Sequence, residues 1–136
     1  MGEAESRAAA LSAGRGGETD TLYFGGGTPS MLSDTHLGRL METLDRLVPV
    51  DKLDEFSFEA NPATFTEKKV RFWRSLGMTR VSLGVQSLDS GILRLLGREH
   101  TPDQALRSVE MLKNAGMPHI NMDLMFAIPG QPLSIW

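Results

Sequence analysis

RVSLGVQSLDSGILRLLGREHTPDQALRSVEMLKNAGMPHINMDLMF, residues 80–126, carries one full period of the pattern that decides the fold. Residues 80–85 (RVSLGV) are short, apolar and β-prone. Asp89 then stands as the cap of a short helix holding Ile92, Leu93 and Leu96, which Gly97 terminates. Thr101, Pro102 and Gln104 supply an N-cap, a first helical position and the far member of a capping box. Ala105, Leu106, Val109, Leu112 and Ala115 are expected to face the core, and Gly116 closes the helix. Residues 119–126 (HINMDLMF) form the next β-prone run, and the turn IPGQP follows.

The same alternation extends toward the N-terminus. Residues 21–24 (TLYF) run straight into Gly25, Gly26 and Gly27. Ser33 caps a helix whose Leu37, Leu40, Met41, Leu44 and Leu47 make one apolar stripe, and Pro49 stops it. Residues 55–60 (EFSFEA) alternate with Phe56 and Phe58 on one face, and Asn61-Pro62 ends them. A helix over residues 67–76 follows, with Val70, Trp73 and Leu76 inward and Gly77 as its cap. Four strands alternating with helices predict an α/β fold of parallel βα repeats. Residues 1–20 read as a helix end over residues 4–11 and a loop at Gly14, Gly16 and Gly17. Residues 21–136 then form the barrel segment. A strand so near Trp136 lacks the helix that normally covers it, so the chain reads as an excised piece of a larger barrel.

The 136 residues are 40% hydrophobic and 23% charged, as expected of about one globular domain. There is no cysteine, so this chain alone builds no disulfide, zinc ribbon, thiol nucleophile or cysteine-bound iron-sulfur cluster. The net charge of -3, with lysine and arginine scattered, predicts no nucleic-acid partner. No apolar run approaches a membrane span, and the N-terminus carries Glu3 and Glu5 with no apolar signal region. A cytoplasmic location is expected.

In βα barrels the reactive groups stand at the C-terminal ends of the strands. The four runs here end in Gly25-Gly26-Gly27-Thr28, in Glu59 and Asn61, in Gln86 and Ser87, and in Asp123 with Pro129 and Gly130 beyond. Topology would bring them to one rim. Glycines let a backbone approach a ligand, or simply make a tight turn. GGGTPS has no P-loop lysine, and Ser30 stands where a dinucleotide fingerprint needs glycine. Glu59 calls either for a ligand's ammonium or hydroxyls, or for a salt bridge to Arg80 or Arg98. Asp123, inside an apolar run, is expected to be a costly charge with a functional partner. Gln86 suits a ribose or an amide, and Arg98 is either a carboxylate clamp or a solvated surface arginine. His36, His100 and His119 show no metal-ligand spacing, so solvated or capping roles are expected and no metal site is assigned.

GGGTPSML, FEANPATF, RVSLGVQSLDSGILRLLGREH and NMDLMFAIPGQ, in this order, resemble the radical S-adenosylmethionine (SAM) proteins related to oxygen-independent coproporphyrinogen III oxidase. That group includes the HemW-type haem chaperones, toward which LGREH followed by PGQ leans. The resemblance implies a partial barrel of six βα units, of which about four strands are present. It implies that Gly26, Gly27 and Thr28 hold the methionine end of SAM. Glu59, Gln86, Arg98 and Asp123 would supply the other polar contacts to its amino acid and ribose.

One departure matters. The family binds a [4Fe-4S] cluster through a CxxxCxxC loop upstream of GGGTP, where this chain has only residues 1–20 and no cysteine. The expected function is thus the SAM-binding portion of a radical SAM protein of porphyrin and haem metabolism, inactive as a fragment. Porphyrinogen or haem would be a partner of the full-length protein alone. The alternatives are a cysteine-free SAM- or nucleotide-binding module without radical chemistry, and an unstable remnant whose sheet edges pair with another chain.

Overall fold

A computed structural model describes residues 19–136. The N-terminal helix end and the loop at Gly14, Gly16 and Gly17 lie outside the described residues. Four strands, β1 (Thr21–Phe24), β2 (Glu55–Ala60), β3 (Arg80–Gln86) and β4 (His119–Leu124), form one sheet in the order β1-β2-β3-β4. All three pairings are parallel. Between them lie α1 (Asp34–Asp45), α2 (Glu67–Ser75), α3 (Ser90–Leu95) and α4 (Pro102–Asn114). Sequential order, with crossovers of the usual right hand, puts the helices on one face of the sheet, and among the described residues the other face is open, the arrangement of a barrel segment.

Local chemistry places the helices where expected. Ser33, Thr66, Asp89 and Thr101 each accept from a backbone amide of the first turn. Gln104 answers the backbone N–H of Thr101 and completes the capping box. α1 ends at Asp45, before Pro49, so Leu47 lies beyond it.

The core sits between sheet and helices. Phe56, Phe58, Val81 and Leu83 from the strands meet Leu37, Val70, Trp73 and Leu112 from the helices, all fully buried. Ring centroids of Phe58 and Trp73 are 4.7 Å apart, and those of Phe24 and Phe56 are 5.1 Å apart. Two further expectations fail. Leu106 is 51% exposed, because the buried face of α4 follows Ala105, Ser108 and Leu112 and Leu106 lies about 100° round from Ala105. β4 ends at Leu124 instead of residue 126, and as an edge strand leaves Met122 and Leu124 about half exposed.

Phe58→Ala removes the ring packed between Phe24 and Trp73. A loss of about 3–5 kcal/mol of folding stability is expected, read as a lower denaturant midpoint with unchanged slope.

Candidate functional site

Side chains alternate along a strand, so with Phe56, Phe58 and Ala60 turned toward the helices, Ser57 and Glu59 face the open side. The register carries this parity across the sheet: Glu59 lies beside Ser82, and Ser82 beside Asn121. The open face is therefore polar. Gly27, Thr28, Glu59, Gln86, Arg98 and Asp123 line one pocket of about 200 Å³ there. Gly26, the seventh residue singled out in the sequence, donates its backbone N–H to Glu59 Oε2 at 3.0 Å. The structure thus gathers the whole predicted set on one rim.

Glu59 makes neither of the salt bridges considered for it. Arg80 pairs with Glu55 at 3.3 Å instead, and Glu59 accepts from the Tyr23 hydroxyl at 2.5 Å. That hydrogen bond, reinforced by burial and by the neighbouring carboxylate charge, pushes the Tyr23 hydroxyl up to about 12. Gly25 makes the contact feasible. A Cβ there would lie 2.5 Å from Tyr23 Cε1 and 3.0 Å from Glu59 Oε1. Beyond it, Gly26 (φ +88°) and Gly27 (φ +60°) take left-handed conformations, and nothing lies within 4 Å of where their side chains would be. Ser30 serves the loop's framework. Its buried hydroxyl donates to Thr64 at 2.6 Å and accepts from the Asn61 amide at 3.3 Å.

Asp123 corrects an expectation, for it is exposed on the edge strand and is no buried charge. Its carboxylate is nonetheless oriented. The Ser82 hydroxyl donates to it at 3.0 and 3.1 Å, and Asn121 Nδ2 at 2.7 Å. Arg98 enters from the α3–α4 loop, half-buried, and forms no salt bridge among the described residues. Asn61 lines the same pocket. Ser87 does not; its hydroxyl accepts from the Asp89 amide and shapes a turn.

Gln86 sits in a tight turn with φ +66°, where the Ser87 amide donates to the Val85 carbonyl at 2.8 Å and the β3–β4 register breaks. Gly84 gives its side chain room, since a Cβ there would lie 3.1 Å from Gln86 Nε2 and 2.8 Å from Asn61 Oδ1. His36 bonds the capping Ser33 hydroxyl, as expected, and His119 is exposed. His100 departs from expectation: it is buried, with Nε2 3.0 Å from the Val85 carbonyl. Tyr23, Ser82, Gly84 and Asn121 also belong to the site, although nothing in the sequence alone singled them out. For Tyr23 the available signal was parity with Glu59 across paired parallel strands.

The residues present fit SAM. Two carboxylates and one guanidinium make the pocket net negative, against a ligand bearing sulfonium, ammonium and carboxylate, and open backbone at Gly26 and Gly27 offers room for its close approach. They do not fit an iron-sulfur cluster. The chain has no thiolate, and the described residues hold no group of three or more His, Cys, Asp or Glu able to hold a metal. Among the described residues no helix is long and apolar enough to cross a membrane.

The Radical SAM superfamily profile matches residues 2–135. The haem chaperone HemW of Lactococcus lactis subsp. lactis (strain IL1403) is 40% identical over 115 residues, covering 85% of this chain and 30% of that protein. The haem chaperone HemW of Bacillus subtilis (strain 168) is 38% identical over 114 residues, covering 83% and 30%. The solved coproporphyrinogen III oxidase HemN of Escherichia coli, described as a radical SAM enzyme, superposes with a TM-score of 0.81 at 27% identity over 96% of this chain. The fold is the partial barrel of that enzyme, and the chain spans about 30% of the length of these relatives.

Tyr23 is the chain's single tyrosine, so its titration can be followed by phenolate absorbance. Its raised value means that the bond to Glu59 contributes fully below pH 10.0 and is lost as pH rises through about 12. Glu59→Gln is expected to bring the midpoint back toward 10.0.

Proposed function

Because the chain belongs to the radical SAM superfamily, we propose that its open-face pocket binds SAM, as the SAM-binding portion of a protein of the coproporphyrinogen oxidase-like and HemW group. The observation that carries this is the convergence of Gly27, Thr28, Glu59, Gln86, Arg98 and Asp123 on one pocket.

Each group suits a different part of the ligand. Glu59, held by the Tyr23 hydroxyl and the Gly26 amide, presents a fixed carboxylate to an ammonium. Arg98, with no carboxylate partner among the described residues, is available to the ligand's. Asp123, oriented by Ser82 and Asn121, accepts from vicinal hydroxyls such as those of a ribose, and the Gln86 amide donates and accepts beside it. The Gly26–Thr28 backbone leaves room for the methionyl chain. Bound SAM supplies the family with a cleavable sulfonium; this chain's residues hold and orient it.

Haem or a porphyrinogen is the proposed partner class of the full-length protein, by analogy with the named functions of its relatives, and a cytoplasmic location goes with that reading. The alternative of SAM binding without radical chemistry draws on one observation, the absence of any thiolate from the chain.

Calorimetric titration of the purified chain with SAM tests the proposal. Saturable binding is expected, and Glu59→Gln and Asp123→Asn should each weaken it by about ten- to hundredfold, the scale of a lost charged hydrogen bond. A cooperatively folded chain that yields no binding isotherm would refute it.

A further inference from the structure

His100 is the buried titratable group that the SAM reading leaves without a task. Its Nε2 lies 3.0 Å from the Val85 carbonyl, an acceptor only, so Nε2 carries the proton and donates. The same carbonyl accepts the Ser87 amide at 2.8 Å, the bond that closes the turn around Gln86. Gln86 is held there with φ +66°, a conformation a glutamine adopts only when its surroundings impose it. On the other side of Gln86, its own carbonyl accepts the Met125 amide at 2.9 Å.

His100 also stands two residues after Arg98, in the loop that joins α3 to α4. Arg98 and Gln86 come from different parts of the fold, yet both must reach the same pocket. Besides the Arg98 amide bond back to the Leu93 carbonyl, the side-chain bond that ties this loop to the rim among the described residues is that of His100.

We infer that His100 is a positioning residue. One hydrogen bond from its imidazole to the Val85 carbonyl fixes the strained turn that aims Gln86 and the loop that carries Arg98, so that the two polar side chains enter the pocket in register. The inference rests on the proposed SAM site only for its ligand readout; the positioning itself is a property of the turn.

The test pairs His100→Phe, which keeps a ring and removes the donor, with His100→Gln, whose amide restores one. In the full chain, His100→Phe is expected to speed Ser87 amide exchange and to weaken SAM binding, each by about tenfold, the scale of one lost hydrogen bond. His100→Gln should recover most of both, with thermal midpoints close to the parent's. Unchanged Ser87 exchange in His100→Phe would overturn the inference. So would equal losses in the two variants that track a falling thermal midpoint, which mark a packing role. Imidazole nitrogen resonances of the unsubstituted chain decide the matter even where a variant does not fold: a slowly exchanging Nε2 proton supports the bond, and an Nδ1-protonated ring refutes it. Should the unsubstituted chain bind no SAM, the functional proposal falls while Ser87 exchange still decides the role of His100.

Discussion

The parity of side chains along four parallel strands governs everything else in this molecule. Parallel strands laid down in sequential order, with each crossover of the usual right hand, send every connecting helix to the same face of the sheet, and that face takes Phe24, Phe56, Phe58, Val81 and Leu83. Every second residue is thereby committed to the open side, so Tyr23, Glu59, Ser82, Gln86 and Asp123 meet without any sequence proximity. Sliding β2 by one residue would drive Glu59 against Trp73 and turn Phe58 to water, which pins the register by the cost of a buried charge and lost apolar burial together.

Within that constraint the polar groups prepare one another. The Glu59 carboxylate is held from two directions by a phenol and a backbone amide, and Asp123 from two directions by a hydroxyl and a carboxamide. Fixing these groups before a ligand arrives lowers the ordering cost of binding. Arg98 stands apart from both carboxylates, so the pocket holds one cation and two anions without an ion pair between them.

The rim also stores strain. Gln86 occupies the left-handed region at the point where β3 and β4 fall out of register, a conformation costing on the order of 1–3 kcal/mol for a residue other than glycine. Glycine would relieve it but would carry no amide into the pocket. The surrounding hydrogen bonds of Val85, Ser87 and Met125 maintain what the residue alone would not adopt.

By itself the amino-acid order determined the element sequence, the parallel class and which residues end each strand, among them Glu59, Gln86 and Asp123. Caps such as Ser33, Asp89 and Thr101, and breakers such as Gly77 and Gly116, act over a few residues and are legible locally. What lay outside its reach depends on neighbours remote in the chain. Asp123 looked like a buried charge because its run is apolar, yet it lies on an edge strand, and edge position is a property of the sheet. Leu106 looked inward-facing because it is apolar, but the azimuth of α4 is set by Ser108 and Ala105 packing toward the sheet side. Tyr23, Ser82 and Asn121 joined the site through register, and His100 became a buried donor through a contact 15 residues away. Only the tertiary structure decides such roles, because burial and hydrogen-bond partnership are fixed by the assembled sheet and its packing.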